Sequence, residues 1–263
     1  MNSSLKLFTS IFYDARLLRH FLRHYSAAGI GAFYIAAPSA FAQEIEERRL
    51  EYPIIVCATD LRHSLYRGRI ASNEMRRLRE EFQREDEWAL IVDLDEFITF
   101  RRDPSAVIGS AEAEGANVVR AVMHDRFSPD GRAVDFAPGD DLARRYPVRT
   151  RFVRDVMLGC DHKAVLVKGL LHGVPGAEHH EMVGEKIASE VLDIEHYKWT
   201  GGSVERARQR LWGLEEAGSE WSAEYGRAVT HYETHGRFAW ELIGGELTTC
   251  IAGAETDQSD SGI

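Results

Sequence analysis

The stretch from Glu87 to Phe100, EWALIVDLDEFITF, decides the fold that the sequence predicts. Its apolar run stops at two acids one residue apart, Asp93 and Asp95, and Glu96 follows at once. In an open parallel sheet, ligands bind beyond the carboxyl ends of the strands. Residues two apart on an extended segment point to the same side. The stretch therefore predicts a buried strand whose end presents two carboxylates to one ligand.

Strand and helix patterns alternate through the first hundred residues, with WALIVD as the fourth strand. Gly29 is placed to end the first helix and Ser39 to cap the second. Alternation at this spacing predicts an α/β fold with a mixed, mostly parallel sheet and helices on both faces. The predicted strands cover residues 6–13, 30–37, 52–60 and 88–93, and the predicted helices cover residues 15–28, 39–50 and 71–86.

The pattern is less regular after Phe100. No linker divides the chain, so residues 1–250 are predicted to form one domain and the polar residues 251–263 a disordered tail. Residues 169–186 are rich in Gly and His and show no clear period. Further predictions are a helix near 104–114, strands at 116–124, 148–158 and 162–169, a loop or hairpin at 125–141, and helices at 203–217 and about 219–243.

Composition excludes several classes of protein. The chain has 263 residues and a net charge of −10, which argues against broad nucleic-acid binding. No window approaches ~18 consecutive apolar residues, so no integral membrane segment is expected. The N-terminus lacks the features of a secretory signal, and three scattered cysteines show no metal spacing. We expect a cytoplasmic protein, with loose attachment to a membrane surface as an open alternative.

The acids after the fourth strand predict a metal site. Asp93 and Asp95 can face one ion, and carboxylate oxygens suit Mg²⁺ or Mn²⁺, usually with water and substrate phosphates completing the coordination shell. The alternative is that these acids only cap or solvate the end of the strand. The hydrophobic strand directly before them and the Glu-Phe pair directly after them favour the metal.

Four segments carry a resemblance to a known family. DLDEF after a Trp-led strand resembles the D-x-D segment of glycosyltransferases with the GT-A fold, more narrowly of a family-2-like group. The segments LLRHFLRHYSAAGIGAFYI, CDHKAVLVKG and LDIEHYKWTGGSVERARQR resemble further parts of that group in the same order, from about residue 5 to 212. Two places depart from it: Tyr13-Asp14 stands where the group has Asn-Glu, and AAPSAF replaces an Asn/Ser/Asp cluster near the nucleotide.

The resemblance implies a hexosyltransferase-type enzyme that moves a sugar from a nucleotide diphosphate sugar to a saccharide, glycolipid or other hydroxyl acceptor. It implies Mn²⁺ or Mg²⁺ as the cofactor, held by Asp93 and Asp95, with His196 as a third ligand. Asp93 is also placed near the ribose. Lys163 and Arg67 are candidate cations for the diphosphate, and Asp60 a candidate acceptor from the ribose or base.

An inverting transferase also needs a base that takes the proton of the acceptor hydroxyl. Glu181, beside His179 and His180, and Asp161 are the candidates put forward, with Asp125 and Glu178 in the same half of the chain as alternatives. A retaining enzyme would not need this base.

Two other classes of function stay open. A haloacid-dehalogenase-like phosphatase also places D-x-D after an apolar strand, with the first acid as nucleophile. That pattern normally continues with Gly-Thr, where this chain has Glu96-Phe97. The third class is a non-catalytic relative that binds a nucleotide or glycan, which the two departures motivate. Trapping of a phosphorylated aspartate would identify the phosphatase, and nucleotide binding without sugar turnover would identify the non-catalytic relative.

Overall fold

The computed structural model describes residues 5–11, 14–59, 67–171, 173–174, 178–219 and 221–248, and within these ranges the side chains of 59, 67–72, 173–174, 178–179 and 181 are not described. The predictions for Asp60 and for residues 251–263 lie outside the described residues. The strands are β1 (Lys6–Ser10), β2 (Ala32–Pro38), β3 (Ile54–Thr59), β4 (Trp88–Ile91), β5 (Glu96–Thr99), β6 (Val118–Phe127), β7 (Val148–Thr150), β8 (His162–Lys168), β9 (Gly173–Val174), β10 (Glu178–Met182), β11 (Ile187–His196) and β12 (Glu246–Leu247).

The helices agree with most of the sequence predictions. They are α1 (Leu18–Ala27), α2 (Ala42–Arg49), α3 (Arg67–Phe82), α4 (Pro104–Ala113), α5 (Leu142–Arg145), α6 (Phe152–Asp155), α7 (Ser203–Glu216) and α8 (Ser222–His235), with 3-10 turns at Ser39–Phe41 and Trp240–Ile243. Gly29 follows α1 and has a φ of +84°, a conformation that favours glycine. No described helix has both the length and the apolar character that crossing a bilayer requires.

The predicted mixed α/β sheet with helices on both faces is confirmed. Strands β4, β1, β2 and β3 pair in parallel in that order. Beyond β4 the pairing becomes antiparallel through β8 to β6. β11 then runs parallel to β6 and antiparallel to β5.

The hydrophobic core lies on both faces of this sheet, as the alternation along β1 shows. Leu7 and Phe8 are both completely buried but belong to different clusters. Leu7 packs in the large cluster that includes Leu18 and Phe21 of α1, while Phe8 packs with Met75 of α3. Successive side chains of a strand point to opposite faces, so each face needs its own helices.

Three sequence predictions of local structure were wrong. Ser39 begins a 3-10 turn and does not cap α2. The predicted strand 148–158 is only β7, because the chain turns into α6 at Phe152. The predicted helix 219–243 ends at His235, where Gly236 takes a φ of +66°. Strands β5 and β11 were not predicted as strands, and both carry residues of the candidate site.

Candidate active site

The turn after β4 is closed by its own glutamate. The Asp93 backbone N–H donates to Glu96 Oε2 at 2.8 Å, and the Glu96 backbone N–H donates to the Asp93 carbonyl at 3.1 Å. Glu96 is only 1% exposed, whereas the Asp93 side chain is exposed and the Asp95 side chain is about one-third exposed. The turn therefore buries its third acid as a structural group and leaves the first two acids accessible.

Lys163 of β8 fixes this turn through its contacts with two of the acids. Lys163 Nζ lies 2.8 and 3.0 Å from the two carboxylate oxygens of Glu96 and 3.2 Å from Asp93 Oδ2. Burial opposes the charged ammonium, but the Asp93 and Glu96 carboxylates hold the pKa of Lys163 above its ordinary value. Burial raises the pKa of Glu96, and Lys163 opposes that shift. Lys163 thus holds the acids of the turn in place.

Helix α1 anchors the other side of the turn. The Tyr25 hydroxyl donates to the Glu96 carbonyl at 2.8 Å and accepts from the Ile98 N–H at 3.0 Å. His24 Nε2 lies 2.9 Å from the Ile98 carbonyl. These contacts give the HFLRHY segment a structural role: it holds the backbone of β5 directly behind the acids.

His196 lies beside Asp95 because of the strand register. At the end of β11, His196 is the Cα partner of Glu96 on β5 and of Asp125 on β6. Its Nδ1 donates to Asp125 Oδ1 at 2.9 Å, and its Nε2 lies 3.5 Å from Asp95 Oδ2. Asp125 is completely buried and also accepts from Trp199 Nε1 at 2.8 Å. Asp125, a candidate base by sequence, therefore orients the imidazole of His196.

The two flanking carboxylates control the charge of His196. Burial lowers the pKa of His196, but Asp95 and Asp125 outweigh burial and raise the pKa to about 10. Burial likewise works against ionisation of Asp95, and His196 holds the pKa of Asp95 below its usual range. In the absence of a ligand, His196 is an imidazolium that lies between the side chains of Asp95 and Asp125.

The same arrangement meets the requirements of a metal ligand. A metal-binding histidine commonly donates its second ring N–H to a carboxylate, which fixes the ring and its tautomer. Asp125 does this for His196 and leaves Nε2 directed toward Asp95. No group of three or more His, Cys, Asp or Glu side chains among the described residues is gathered closely enough to hold an ion unaided. The residues thus fit an ion held by Asp95 and His196, with substrate or water oxygens completing its shell.

Asp95 opens onto a cleft with a volume of about 140 Å³. Its lining includes the carboxylates of Asp14, Asp93 and Asp95 and the cations of Lys198, Arg206 and Arg210. The three acids follow the carboxyl ends of β1 and β4, where an open sheet binds its ligands. A cleft with both signs of charge suits a ligand that carries phosphate together with a cation.

Asp14 occupies the position where the resemblance expects a glutamate. Its carboxylate accepts from Arg16 Nε and Nη2 at 2.7–3.0 Å, and Arg206 Nη1 lies 3.3 Å from it. Burial opposes ionisation, but Arg16 and Arg206 hold the pKa of Asp14 below its usual range. The acid is therefore ionised and held at the edge of the cleft by two arginines.

Two of the other predicted site residues, Asp161 and Lys163, do not line the cleft. Asp161 is 5% exposed, accepts from Arg151 Nε at 2.5 Å and does not line the cleft. Lys163 is engaged below the turn and does not line the cleft either. Asp60 lies outside the described residues, as do the side chains of Arg67, Glu178 and Glu181.

Sequence reasoning missed the cations that line the cleft. Arg206 and Arg210 stand four residues apart on α7, so they share one face of the helix. Lys198 and Tyr225 also line the cleft, with Lys198 Nζ donating to the Tyr225 hydroxyl at 2.7 Å. The i,i+4 spacing of the two arginines was the available signal, but spacing cannot show which face of a helix borders a cleft.

Comparison with known proteins gives little further information. No protein-family model matches the chain, and no curated protein matches it. Among solved structures, the UTP-bound UGPase from Acinetobacter baumannii is similar over 91% of this chain and 97% of its own chain, at 11% identity and a TM-score of 0.30. Similarity at this level supports no inference about function.

Proposed function

We propose that this protein is a metal-dependent glycosyltransferase that moves a sugar from a nucleotide diphosphate sugar to a saccharide, glycolipid or other hydroxyl acceptor. The observation that carries the proposal is the group formed by Asp95, His196 and Asp125, in which Asp95 lines the cleft and His196 and Asp125 are buried behind it. It supplies an oxygen ligand, a nitrogen ligand and a buried carboxylate that orients the nitrogen ligand. The resemblance of DLDEF to the GT-A glycosyltransferases supports the same assignment.

Each residue of the group has a separate task in this reaction. Asp95 and His196 would hold Mn²⁺ or Mg²⁺, and Asp93 lies next to them with its carboxylate accessible. The ion, when bound, stabilises the negative charge that develops on the leaving nucleotide. Asp125 keeps Nε2 of His196 available by accepting from Nδ1.

Buried groups fix the turn that carries Asp93 and Asp95. Lys163 and Glu96 fix it from within the sheet, and Tyr25 fixes the following backbone from α1. A site held by buried groups needs less reorganisation when substrate binds, which favours catalysis by positioned charges. The acceptor oxygen attacks the anomeric carbon, the bond from that carbon to the diphosphate breaks, and the acceptor proton leaves to a base.

A phosphatase is the second candidate, because one observation favours it. Lys163 Nζ lies 3.2 Å from Asp93 Oδ2 and would orient that carboxylate as the nucleophile, with Asp95 as the general acid. The hydrogen bond between Asp125 and His196 has no role in that reaction, which places the phosphatase second. Hydrolysis of an aryl phosphate, abolished in Asp93→Asn, would support the phosphatase.

The test of the transferase is a thermal-shift titration with UDP, GDP, CDP and dTDP, each with Mn²⁺ and with EDTA. A ligand at 100 times its Kd stabilises the folded state by about 2.7 kcal/mol, which corresponds to a rise in Tm of roughly 5 to 10 °C for a chain of this size. We expect this rise for one nucleotide, only with Mn²⁺, and its loss in Asp95→Asn. Asp86→Asn is the matched control, because the Asp86 side chain is 79% exposed.

Turnover is then measured as release of the selected nucleoside diphosphate from its sugar conjugates, with a panel of saccharide acceptors. Metal-dependent binding that survives in Asp95→Asn would refute the proposed site. Binding without release of nucleotide from any conjugate would identify the non-catalytic relative.

A further inference from the structure

Helix α7 begins at the cleft and lacks a side-chain N-cap. Its N-cap is Gly202, with a φ of +72° and no side chain to accept from the first-turn amides. Ser203, the first residue of the helix, lines the cleft and is 4% exposed. Within the described part of the chain, Ser203 Oγ has no hydrogen-bond partner although it is buried. An orphaned buried hydroxyl is unfavourable unless a ligand satisfies it.

Cations gather around this helix end. Lys198 Nζ donates to the Tyr225 hydroxyl at 2.7 Å, and among the described residues no carboxylate lies within 4 Å of this nitrogen, although Asp95 acts on it from farther away. Arg206 Nη1 donates to the Gly201 carbonyl at 3.0 Å and shares Asp14 with Arg16. Lys198, Arg206 and Arg210 line the cleft beside Ser203, and Asp14, Asp93 and Asp95 line it as well.

The ionisation of a neighbouring phenol reports the same positive potential. The Tyr225 side chain is 5% exposed, and burial alone would raise its pKa. Arg210, whose guanidinium carbon lies 4.7 Å from the ring centre, and Lys198 outweigh burial, so the pKa of Tyr225 lies below its ordinary value. A ligand at this position is therefore expected to be an anion.

Phosphate is the anion that these groups match best. Helix N-termini bind phosphate through backbone N–H groups and the helix dipole. A serine hydroxyl and an arginine add donors to phosphate oxygens, and arginine does so with a fixed fork geometry. We propose that the α7 end of the cleft, formed by Ser203, Arg206 and Lys198, is a phosphate subsite that binds its ligand without the metal.

The source of the phosphate rests on the proposed function, whereas the binding of phosphate does not. Two substrate groups share this chemistry: the diphosphate of the donor, and a phosphate carried by the acceptor. Asp95 lines the same cleft, but the proposed subsite shares no residue with the metal position of Asp95 and His196, so separate variants test the two.

The experiment is calorimetric titration of the full chain with inorganic pyrophosphate in EDTA. We expect saturable binding to the wild type, and binding at least about tenfold weaker in Arg206→Gln, since one charge-assisted hydrogen bond is lost. Arg208→Gln is the matched control, because Arg208 lies on the same helix and pairs with Glu233 away from the cleft. We expect no change in that control.

Ser203→Asp places a carboxylate where the phosphate would bind. The helix dipole favours an acid in the first turn and burial opposes it, so the Tm of the variant is measured to establish that it folds, and we expect complete loss of pyrophosphate binding. Absence of saturable binding to the wild type, equal binding by Arg206→Gln and Arg208→Gln, or undiminished binding by Ser203→Asp would each overturn the subsite.

A second titration identifies the source. It repeats the pyrophosphate titration with Mn²⁺ and the nucleoside diphosphate selected by the thermal-shift screen. Competition shows that the donor diphosphate fills the subsite, and simultaneous binding shows that it takes a phosphate of the acceptor. A failed nucleotide screen with intact pyrophosphate binding would refute the transferase and leave the subsite standing. The reverse result would refute the subsite alone.

Discussion

Replacing Lys163 by methionine removes the ammonium that holds the two acids of the turn. The side chains of Lys163 and Glu96 are 4% and 2% exposed, and Nζ lies 2.8 Å from Glu96 Oε2. Removing one partner of a buried ion pair leaves an uncompensated charge, which typically costs about 3–5 kcal/mol. For a chain of this size, that corresponds to a fall in Tm of about 10 °C.

The same strand provides a matched control. Lys168 on β8 pairs with Glu112 at the same distance of 2.8 Å, but the side chains are 35% and 46% exposed. Exposed pairs contribute about 0–1 kcal/mol, so Lys168→Met should be nearly neutral. Urea unfolding followed by circular dichroism gives both free energies of unfolding under the same conditions.

The charge on Glu96 supplies two further tests of this reasoning. Glu96→Gln in the Lys163→Met background removes the unpaired charge and still leaves an oxygen for the Asp93 N–H, so most of the lost stability should return. Lys163 opposes the rise in the pKa of Glu96 that burial causes, so in Lys163→Met the folded-state pKa of Glu96 rises further above its unfolded value, and the deficit is full only above that folded-state pKa. It shrinks as pH falls and Glu96 becomes protonated in both states. Equal losses in Lys163→Met and Lys168→Met would refute the reasoning.

Three other perturbations have defined outcomes. His196 has a folded-state pKa of about 10 against an ordinary value of 6.5, so the stability that the charged imidazole contributes in EDTA is complete below about pH 6.5 and disappears as pH rises toward 10. The difference in Tm between wild type and His196→Gln should therefore narrow over that pH range. A constant difference would contradict the raised pKa. The Asp125 carboxylate accepts from the Val153 N–H, His196 Nδ1 and Trp199 Nε1, and Asp125→Asn places an amide N–H donor among them. Urea unfolding should show that the free energy of unfolding falls by about 3 kcal/mol. An unchanged free energy would contradict the buried pairing of Asp125 with His196. Gly131→Ala makes a Cβ overlap with the Phe238 carbonyl oxygen, whereas Gly29→Ala, also at positive φ, meets nothing within 4 Å. Thermal melts should show Gly131→Ala to be far more destabilising than Gly29→Ala, and equal effects would disprove the close approach of Gly131 to Phe238.

The first half of the fold could be predicted from the sequence because its order is local. Apolar periodicity within each segment defines β1 to β4 and their helices, and parallel strands joined by helices place their carboxyl ends on one edge. The position of Asp93 and Asp95 follows from this order alone. The Asp93 and Asp95 side chains are 53% and 32% exposed, and that they face a ligand stays a prediction.

The second half departs from prediction where a strand depends on distant partners. β5 has only four residues, and it is a strand because β11, about ninety residues later, pairs with it. β11 carries charged residues on its open face, where Asp193 and Glu195 are paired by Arg149 of β7. The period of an amphipathic element can be recognised within one segment of sequence. That the charges of a segment are paired by residues of another strand cannot be recognised there.

The sequence by itself determined the chemistry available: two acids at the end of a buried strand, and His196 in a segment of family-like character. Only the tertiary structure decided how those groups are used. Strand register brings Asp125 to His196 across 71 positions of chain and Lys163 to Glu96 across 67. The physical reason is that pKa, ionisation and ligand geometry depend on separations of a few ångströms in a buried setting, and those separations are set by which strands are neighbours.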